Sequence, residues 1–360
     1  MNPAVYARRG RNLLSMVEIN YNRLIGREIV PIQPEFLSIE PTSVCNLKCV
    51  FCAYVKKDSP KISMKNDRFA GYIEQAVAMG YRRFKLTPST GDIFMDRHIF
   101  DKLMFLEEHP GVEEYQFYTN FTILDAEEIA RLVSLKKLKY MIISVYGHDC
   151  ESFVKIAKGT NKVYQRLLAN LEILLPLVEQ RSGVLEIAIR SARNMPRTPD
   201  TDLLKLLSRY KAAGIPVRPS HLYHSWGGKI TSEDLEGIAI DVTDSSKIYK
   251  KGACALLFTG VQIMATGLVH ACACVDVDAS LKIGDLNERP LREILSTRNP
   301  LYVEIIDEQQ RGMFRQVCRD CGFYKSIYHS RSQYRKESIP TSSIADFKVA
   351  LDAKSESAAL

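Results

Sequence analysis

Three cysteines that lie close together in the sequence are the residues best suited to chemistry. Cys45, Cys49 and Cys52 have the spacing Cys-x3-Cys-x2-Cys. Cysteine thiolates hold iron–sulfur clusters, normally four thiolates to a cubane. Three ligands from one loop would leave one iron open, and an open metal position is typical of a catalytic site. A zinc site or three buried structural thiols are the alternatives, but no His or Cys follows Cys52 closely enough to complete a zinc site.

A second group of cysteines lies in the C-terminal third of the chain. Residues 261–264 and 268–271 flank a turn at Gly267 and predict a β-hairpin, whose outer ends would bring Cys254 and Cys272 towards each other. Cys318 and Cys321 follow as a Cys-x2-Cys pair. Four thiolates suit zinc as well as an iron–sulfur cluster. The first cysteine loop, which is itself predicted to hold an iron–sulfur cluster, favours a cluster over zinc at this second group as well.

With these two groups the chain resembles the radical SAM superfamily. There the open iron binds the amino and carboxylate groups of S-adenosylmethionine, and one electron from the cluster releases a 5′-deoxyadenosyl radical. The second group, with Gly267 and the Gly-Asp-Leu of residues 284–286, resembles the twitch domain, a truncated SPASM extension that holds one auxiliary cluster. The resemblance implies S-adenosylmethionine and two 4Fe–4S clusters. It assigns Cys45, Cys49 and Cys52 to the first cluster and Cys254, Cys272, Cys318 and Cys321 to the second.

The same resemblance suggests residues that would hold S-adenosylmethionine. Phe51 matches the position that packs near the adenine, and residues 86–92 resemble the Gly-Gly-Glu motif, with Gly91 allowing close backbone approach and Asp92 accepting from the ammonium. Asn120 and Ser144 are at later strand ends, where ribose or carboxylate contacts are expected, and Arg190 could pair with the carboxylate. Ordinary strand-end caps or surface residues are equally good explanations for each.

The elements that must position these residues follow a strand–helix rhythm. Strands are predicted at 35–40, 83–87, 114–119, 140–144, 185–190 and 215–218, with helices at 99–108, 126–134, 164–179 and 202–213. Such alternation favours a parallel sheet with right-handed crossovers. The pattern does not separate a barrel from an open doubly wound sheet; the resemblance implies a partial (β/α)6 barrel. The fold class is therefore α/β, with a small α+β twitch domain that contains a β-hairpin and a short helix.

The boundaries follow changes in composition along the chain. We expect a basic helical segment at 1–34, the barrel at 35–228, a polar linker at 229–251, the twitch domain at 252–327, and a polar, poorly ordered tail at 328–360. No stretch is apolar enough for a membrane span. We expect no signal peptide, because residues 1–30 contain neither a continuous apolar run nor a cleavage site. A cytosolic location follows, where nine cysteines indicate metal binding or catalysis rather than disulfides.

The net charge of the chain limits the kinds of binding partner that we expect. The formal net charge is +7, but the basic residues are scattered among acidic ones, and no single-strand-binding motif stands out. We therefore expect neither nucleic acid nor membrane as a partner. The basic surplus suits an acidic electron donor of the flavodoxin or ferredoxin type, or an anionic substrate, although a solvated surface explains it equally well.

Three reactions remain open for a small polar substrate such as a sugar, an aminocyclitol or a nucleoside. Alcohol oxidation would pass an electron to the auxiliary cluster, as in the twitch-bearing aminocyclitol dehydrogenases; epimerisation would need a thiol hydrogen donor, for which Cys150 and Cys274 are available; dehydration would need an acid. His148, His221 and His224 are candidate bases, and each could equally be a structural histidine. Oxidation is slightly favoured. A peptide-modifying enzyme is the wider alternative, and an iron–sulfur scaffold or zinc adaptor the non-enzymatic one.

Overall fold

Strands and helices alternate through the first two thirds of the chain in the computed structural model. It describes residues 3–32, 36–87, 89–192, 195–196, 198, 200–330 and 340–358, with the backbone alone at 3–9. The helices are α1 (Pro3–Leu24), α2 (Asn66–Ala78), α3 (Ile99–Glu108), α4 (Ala126–Ser134), α5 (Cys150–Ala157), α6 (Asn161–Leu174), α7 (Asp202–Ala212), α8 (Leu256–Thr259), α9 (Leu291–Ile294), α10 (Pro300–Gln310), α11 (Gln316–Arg319) and α12 (Ile344–Ser357).

The strands are short in the auxiliary region and longest in the middle of the barrel. They are β1 (Val30–Pro31), β2 (Phe36–Ile39), β3 (Arg83–Lys85), β4 (Glu114–Thr119), β5 (Leu138–Tyr146), β6 (Val184–Arg190), β7 (Val217–Ser220), β8 (Leu222–Tyr223), β9 (Asp241–Val242), β10 (Gln262–Ile263), β11 (Leu268–His270), β12 (Lys282–Asp285) and β13 (Thr341–Ser342).

Six parallel strands, β2 to β7, lie side by side in the order of the sequence. A doubly wound sheet reverses its strand order at a switch point, and this sheet does not. The partial (β/α)6 barrel is therefore confirmed. Since parallel strands end on one side of a barrel, the cysteine loop after β2 and the loops after β3, β4 and β5 all meet at that side.

Local sequence explains why the helices of the barrel begin where they do. Asp125 caps α4 and forms a capping box with Glu128, and Asp149 does the same for α5 with Ser152. The apolar side chains of α4 face the sheet, because Ile129, Leu132 and Val133 fall on one side of the helix and are buried.

The auxiliary hairpin joins the barrel edge to edge. β10 pairs in parallel with β2, and β11 and β12 follow in antiparallel fashion, so that one nine-stranded sheet runs through both parts of the chain. The hairpin with its turn at Gly267 was predicted, but its attachment to the first barrel strand was not.

The segment expected to be a polar linker is folded. Leu235 and Ile240 are buried against Ile156, Tyr223 and Ile230 in a small separate core. β8 and β9 also pair in parallel within this part of the chain. The prediction of a linker at 229–251 is wrong because a few apolar residues among many acidic ones are enough to bury a second core.

The tail is also ordered where it is described. β13 pairs antiparallel with β1, and Phe347 and Leu351 of α12 are buried, with the Phe347 ring edge-on to Phe258 at 4.8 Å. Ser343 caps α12 by accepting from the Asp346 N–H at 3.1 Å. Poor order at 340–358 was therefore a wrong expectation, drawn from Ser and Ala content that hides two apolar residues at helical spacing. Among the described helices, none combines the length and the apolar character that crossing a bilayer requires.

Candidate active site

The loop that carries the first three cysteines is tied to its surroundings through the backbone. Lys48 N–H donates to the Ala157 carbonyl at 3.1 Å, and Val50 N–H donates to the Ile156 carbonyl at 2.9 Å, which fixes the loop to the end of α5. Cys49 is buried, and Cys45 and Cys52 are partly buried. Burial raises the pKa of Cys45 to about 12 and that of Cys52 to about 11. Thiols in such surroundings become thiolates when a bound metal supplies the compensating charge, which fits a cluster site.

Gly91 and Asp92 brace this loop from the end of β3. Gly91 has φ +106°, and a Cβ there would lie 2.8 Å from the Thr42 carbonyl oxygen. The Asp92 N–H donates to the Val44 carbonyl at 2.8 Å. The sequence predicted close backbone approach at Gly91, and the structure shows that the approaching backbone is the chain's own cysteine loop.

The Asp92 carboxylate is buried and already has several donors. It accepts from Phe94 N–H at 3.1 Å, from Asn120 N–H at 2.6 Å and from Thr119 Oγ1–H at 3.0 Å. Burial raises its pKa, and the Asn120 and Phe94 N–H groups oppose that rise. Asp92 therefore links the loop after β3 to the end of β4. Any hydrogen bond from the ammonium of a ligand would be additional to the three that the carboxylate already accepts.

Asn120 also serves the cysteine loop. Its Nδ2 donates to Asn46 Oδ1 at 2.8 Å and lies 3.8 Å from Cys45 Sγ, and its Oδ1 accepts from Thr122 N–H at 3.0 Å. Asn46 in turn donates to Thr122 Oγ1 at 2.9 Å. Asn120 was predicted from the sequence, but Asn46 and Thr122 were not. Two features of the sequence could have indicated them: Asn46 directly follows Cys45, and Thr122 lies just after the end of β4.

Aromatic rings gather beside the third cysteine. Phe51 stacks on Tyr223 with ring centroids 4.4 Å apart, and its carbonyl accepts from Trp226 Nε1–H at 2.8 Å. The Arg190 guanidinium lies over the Tyr223 ring, 5.7 Å from its centroid. Phe51 and Arg190, which the sequence proposed separately, are thus brought together by Tyr223, a residue that sequence reasoning did not single out.

The inner side of the barrel is polar. Along β4, Tyr115 and Phe117 are buried against the helices, while the alternate residues Gln116 and Tyr118 point inwards, and 41% of Tyr118 is exposed. Strand register places Lys85 beside Gln116 in the same row. On β6, Glu186 accepts from Tyr140 Oη–H at 2.5 Å. Ser144, Arg190 and Glu186 share this inner side by their alternation along β5 and β6.

The four cysteines of the second set line one apolar cavity. Its other walls are Leu256, Leu257, Val275, Leu281, Val317, Gln309 and Tyr324. The buried Gln309 accepts from Cys254 N–H at 2.8 Å and donates to Cys318 Sγ at 3.2 Å, and Phe323 N–H donates to Cys321 Sγ at 3.2 Å. Hydrogen bonds to sulfur suit a cluster site. Among the described residues, no three His, Cys, Asp or Glu side chains converge as a single metal ion would require.

The two spare cysteines have different surroundings. The Cys150 thiol donates to Asn161 Oδ1 at 3.2 Å, between α5 and α6 in the helix layer. Cys274 lies close to the second set. Burial raises its pKa to about 12, the neighbouring Cys321 and Cys254 thiols raise the pKa further, and the nearby Lys85 lowers it. Cys274 thus lies where the second cysteine set meets the inner side of the barrel.

The three candidate histidines are also separated. His148 is 3.4 Å from Asp149 Oδ2 and lines a cleft with Lys155 and Ile238 outside the barrel. His221 is exposed. His224 packs against Trp226 and Phe323, and burial together with Arg190 lowers its pKa to about 4. The proximity of His224 to Arg190 makes it the nearest of these three histidines to the inner side.

Comparison with known families identifies this arrangement. The family model of the radical SAM superfamily matches residues 39–241, more than half of the chain. The chain belongs to the radical SAM superfamily. A second model, an iron–sulfur cluster-binding domain named SPASM, matches residues 254–322. This radical SAM enzyme therefore uses a 4Fe–4S cluster and S-adenosylmethionine, and its second domain adds auxiliary iron–sulfur binding.

Solved structures support the same fold. BtrN in complex with AdoMet and 2-DOIA is 13% identical, with a TM-score of 0.52, over 84% of this chain and 98% of that chain. SuiB from Streptococcus suis bound to S-adenosylmethionine is 14% identical, with a TM-score of 0.53, over 84% of this chain and 77% of that one. anSMEcpe with bound AdoMet is 16% identical, with a TM-score of 0.52, over 90% and 99%. No curated protein matches the chain.

Proposed function

We propose that this radical SAM enzyme oxidises a hydroxyl-bearing carbon of a small polar molecule, a sugar, an aminocyclitol or a nucleoside, by two electrons. The observation that carries the proposal is the continuity between the polar inner side of the barrel and the second cysteine set. Lys85 and Tyr118 line the inner side, and Cys274 is close enough to both for their charges to affect one another. A substrate held by the barrel would therefore lie beside the auxiliary site.

The cysteine assignments of this proposal follow the two sets. Cys45, Cys49 and Cys52 would hold the first cluster, and Cys254, Cys272, Cys318 and Cys321 the second. When bound, the first cluster with S-adenosylmethionine supplies a carbon-centred radical that takes a hydrogen atom, and the second supplies a one-electron acceptor. The net charge of +7 suits a flavodoxin or ferredoxin, which are acidic proteins, as the external electron donor.

The protein's own residues would orient the ligands. Arg190 would bind the carboxylate of S-adenosylmethionine, and Phe51 with Tyr223 would offer an aromatic surface for its adenine; the location of Arg190 over the Tyr223 ring, which stacks on Phe51, supports this. Asp92 and Asn120 hold the loop, and Ser144 faces the same interior. Removal of the hydroxyl proton needs a base, and His224 suits this role better than His148 or His221 by position, because it lies beside Arg190, whereas His148 lines a separate cleft and His221 is exposed.

Epimerisation is the second candidate function, and the position of Cys274 favours it. A thiol between the inner side of the barrel and the second set could return a hydrogen atom to a substrate carbon. Cys150, in the helix layer, is less suited to that role. The two reactions share the radical step and differ in whether the substrate radical then gains a hydrogen atom or loses an electron and a proton.

The experiment that tests the proposal measures iron, sulfide and S-adenosylmethionine cleavage. After anaerobic reconstitution, we expect about eight irons per chain, and about four in a Cys45/Cys49/Cys52→Ala triple variant. With dithionite, the wild type should form 5′-deoxyadenosine and the triple variant should form none. A Cys150→Ala variant is the matched control for iron content. Deoxyadenosine formation by the triple variant would refute the assignment.

A further inference from the structure

Three consecutive residues after β8 have left-handed backbone conformations. Trp226, Gly227 and Gly228 have φ +51°, +62° and +92°. Glycine adopts such angles freely, but a residue with a Cβ does so at a cost, so the surroundings of Trp226 must maintain its conformation. Backbone strain of this kind is concentrated at functional sites, so the contacts of the turn at residues 225–228 indicate what the strain serves.

On one side the 225–228 turn is bound to the first cysteine loop. The indole Nε1–H of Trp226 donates to the Phe51 carbonyl at 2.8 Å. That carbonyl belongs to the peptide bond between Phe51 and Cys52. The Phe51 ring itself stacks on Tyr223, with 19° between the ring planes. The bond from Trp226 therefore restricts the backbone that carries both the third cysteine of the first set and the aromatic ring beside it.

On the other side the 225–228 turn rests on α11, the helix that carries Cys318 of the second set. The Oγ–H of the buried Ser225 donates to the Asp320 carbonyl, at the end of this helix, at 2.8 Å. The turn also lies so close to the helix that a side chain would not fit, because a Cβ on Gly227 would be 2.6 Å from Val317 Cγ2. The absence of a side chain at Gly227 therefore allows the turn to touch α11.

These contacts fix the direction of the indole N–H. The turn cannot move away from α11 without losing the hydrogen bond from Ser225, and it cannot move closer because Gly227 already touches the helix. The half-buried indole also packs against His224, with ring centroids 4.3 Å apart. A donor that is held in place loses little conformational freedom on binding, and it orders the group that accepts from it. The turn therefore presents Phe51 in one orientation before a ligand arrives.

We propose that Trp226 is a positioning residue for S-adenosylmethionine, which it serves by holding Phe51 through the Phe51 carbonyl. Under the proposed function the cofactor binds at the first set, and Phe51 offers the surface for its adenine. The role of Trp226 rests on that adenine assignment and deepens it, because it names the residue that keeps the Phe51 ring in place. The same role would serve oxidation and epimerisation alike, since both begin with S-adenosylmethionine.

The test measures the equilibrium binding of S-adenosylmethionine by calorimetry, on holoenzyme reconstituted with iron and sulfide and without reductant. Trp226→Phe keeps an aromatic ring and removes the N–H. We expect it to weaken binding about fivefold, the usual effect of one hydrogen bond, with iron content unchanged. Tyr210→Phe is the matched control, because the Tyr210 hydroxyl donates to the Leu171 carbonyl at 2.6 Å in the helix layer. The control should bind S-adenosylmethionine as the wild type does.

A second pair of variants tests the contact with α11. Gly227→Ala must displace the turn from Val317, so it should weaken binding to a similar extent. Gly214→Ala is its control, because Gly214 also has a positive φ, at +76°, but a Cβ added there would meet no other atom within 4 Å. With dithionite, the KM for S-adenosylmethionine in 5′-deoxyadenosine formation should rise in Trp226→Phe and Gly227→Ala, while kcat stays within about twofold. A structural defect would instead lower iron content and kcat.

Phe51→Ala distinguishes failure of the adenine assignment from failure of the positioning role. Wild-type affinity in Phe51→Ala would overturn both. Weak binding by Phe51→Ala with wild-type affinity in Trp226→Phe would leave the assignment standing and overturn the role. If Trp226→Phe loses iron from the first set, Gly227→Ala decides by the same criterion, and loss of iron in both would overturn the role. Equal weakening in Tyr210→Phe or Gly214→Ala would also overturn it, whereas a wild type that forms no 5′-deoxyadenosine would refute the proposed function itself.

Discussion

The two cysteine sets are built in opposite ways. The first takes its three thiols from one short loop, and the second draws four thiols from 254–321, a stretch that includes β10 to β12 and α8 to α11. The first is surrounded by polar braces, Asp92 and Asn120, whereas the second lies in an apolar cavity with Gln309 as its polar neighbour. Three thiols leave a position for an exchangeable ligand, and four close the site.

This difference makes the two sites depend on different parts of the fold. The first loop is held by the segments after β3 and β4, because Asp92 N–H donates to the Val44 carbonyl and Asn120 Nδ2 donates to Asn46 Oδ1. The second site needs the packing of the whole auxiliary domain, because its cysteines meet only when the hairpin and α11 are in place. Damage to either site should therefore leave the other intact.

The largest expected effect comes from removing the second set. A Cys272/Cys318→Ala variant should lose about four of eight irons and keep the cleavage of S-adenosylmethionine, because the first loop has its own braces. It should lose the two-electron oxidation of substrate. Loss of all iron would show that the two sets are not independent, and Cys150→Ala again provides the control for iron content.

A smaller effect is expected from Asp92→Ala. The variant would leave the N–H groups of Phe94 and Asn120 without their acceptor in a buried place, which costs about 3 kcal/mol of the free energy of unfolding. Iron should fall at the first set and remain at the second. The control is Asp125→Ala, an exposed helix cap, which should cost about 1 kcal/mol and leave iron unchanged. Chemical denaturation and iron analysis measure both.

Gly91→Ala should have a lesser effect that is confined to the first set. The change places a Cβ 2.8 Å from the Thr42 carbonyl oxygen in a residue with φ +106°, so the cysteine loop must shift. We expect a loss of about 1–3 kcal/mol and weaker retention of the first cluster. Gly80→Ala is the control, because Gly80 also has a positive φ, at +85°, but a Cβ added there would meet no other atom within 4 Å. This variant should lose stability through backbone strain and keep its iron. Equal iron in both variants would count against the brace.

The sequence predicted most of the barrel because its signals are local. β4, α3 and α4 begin and end where the pattern of apolar residues indicated, and the cysteine spacing identified the family. Contacts distant in sequence were not visible. Nothing in the residues around Gln262 indicated that β10 would pair with β2, and a pairing of two residues in length carries almost no sequence signal.

Average composition gave a wrong prediction where a few apolar residues in a polar segment are enough to form a core. The region 229–251 is polar overall, yet Leu235 and Ile240 build a small core with Tyr223. That core packs against Tyr223, which stacks on Phe51, so a segment expected to be a linker supports one wall of the candidate site. The direction of each side chain, which separates Cys274 from Cys150, could be known only from the fold.

The smallest and most selective effect concerns those two cysteines. Cys274 belongs to the surroundings of the second set, and Cys150 belongs to the helix layer, so the comparison of the two sets extends to their neighbours. If the enzyme is an epimerase, turnover in deuterium oxide should place deuterium on the substrate carbon, and Cys274→Ala should abolish that label while Cys150→Ala retains it. If the enzyme is a dehydrogenase, a ketone should accumulate without label, and Cys274→Ala should change the rate by less than tenfold. Label lost in Cys150→Ala alone would reverse the assignment and place the hydrogen donor in the helix layer.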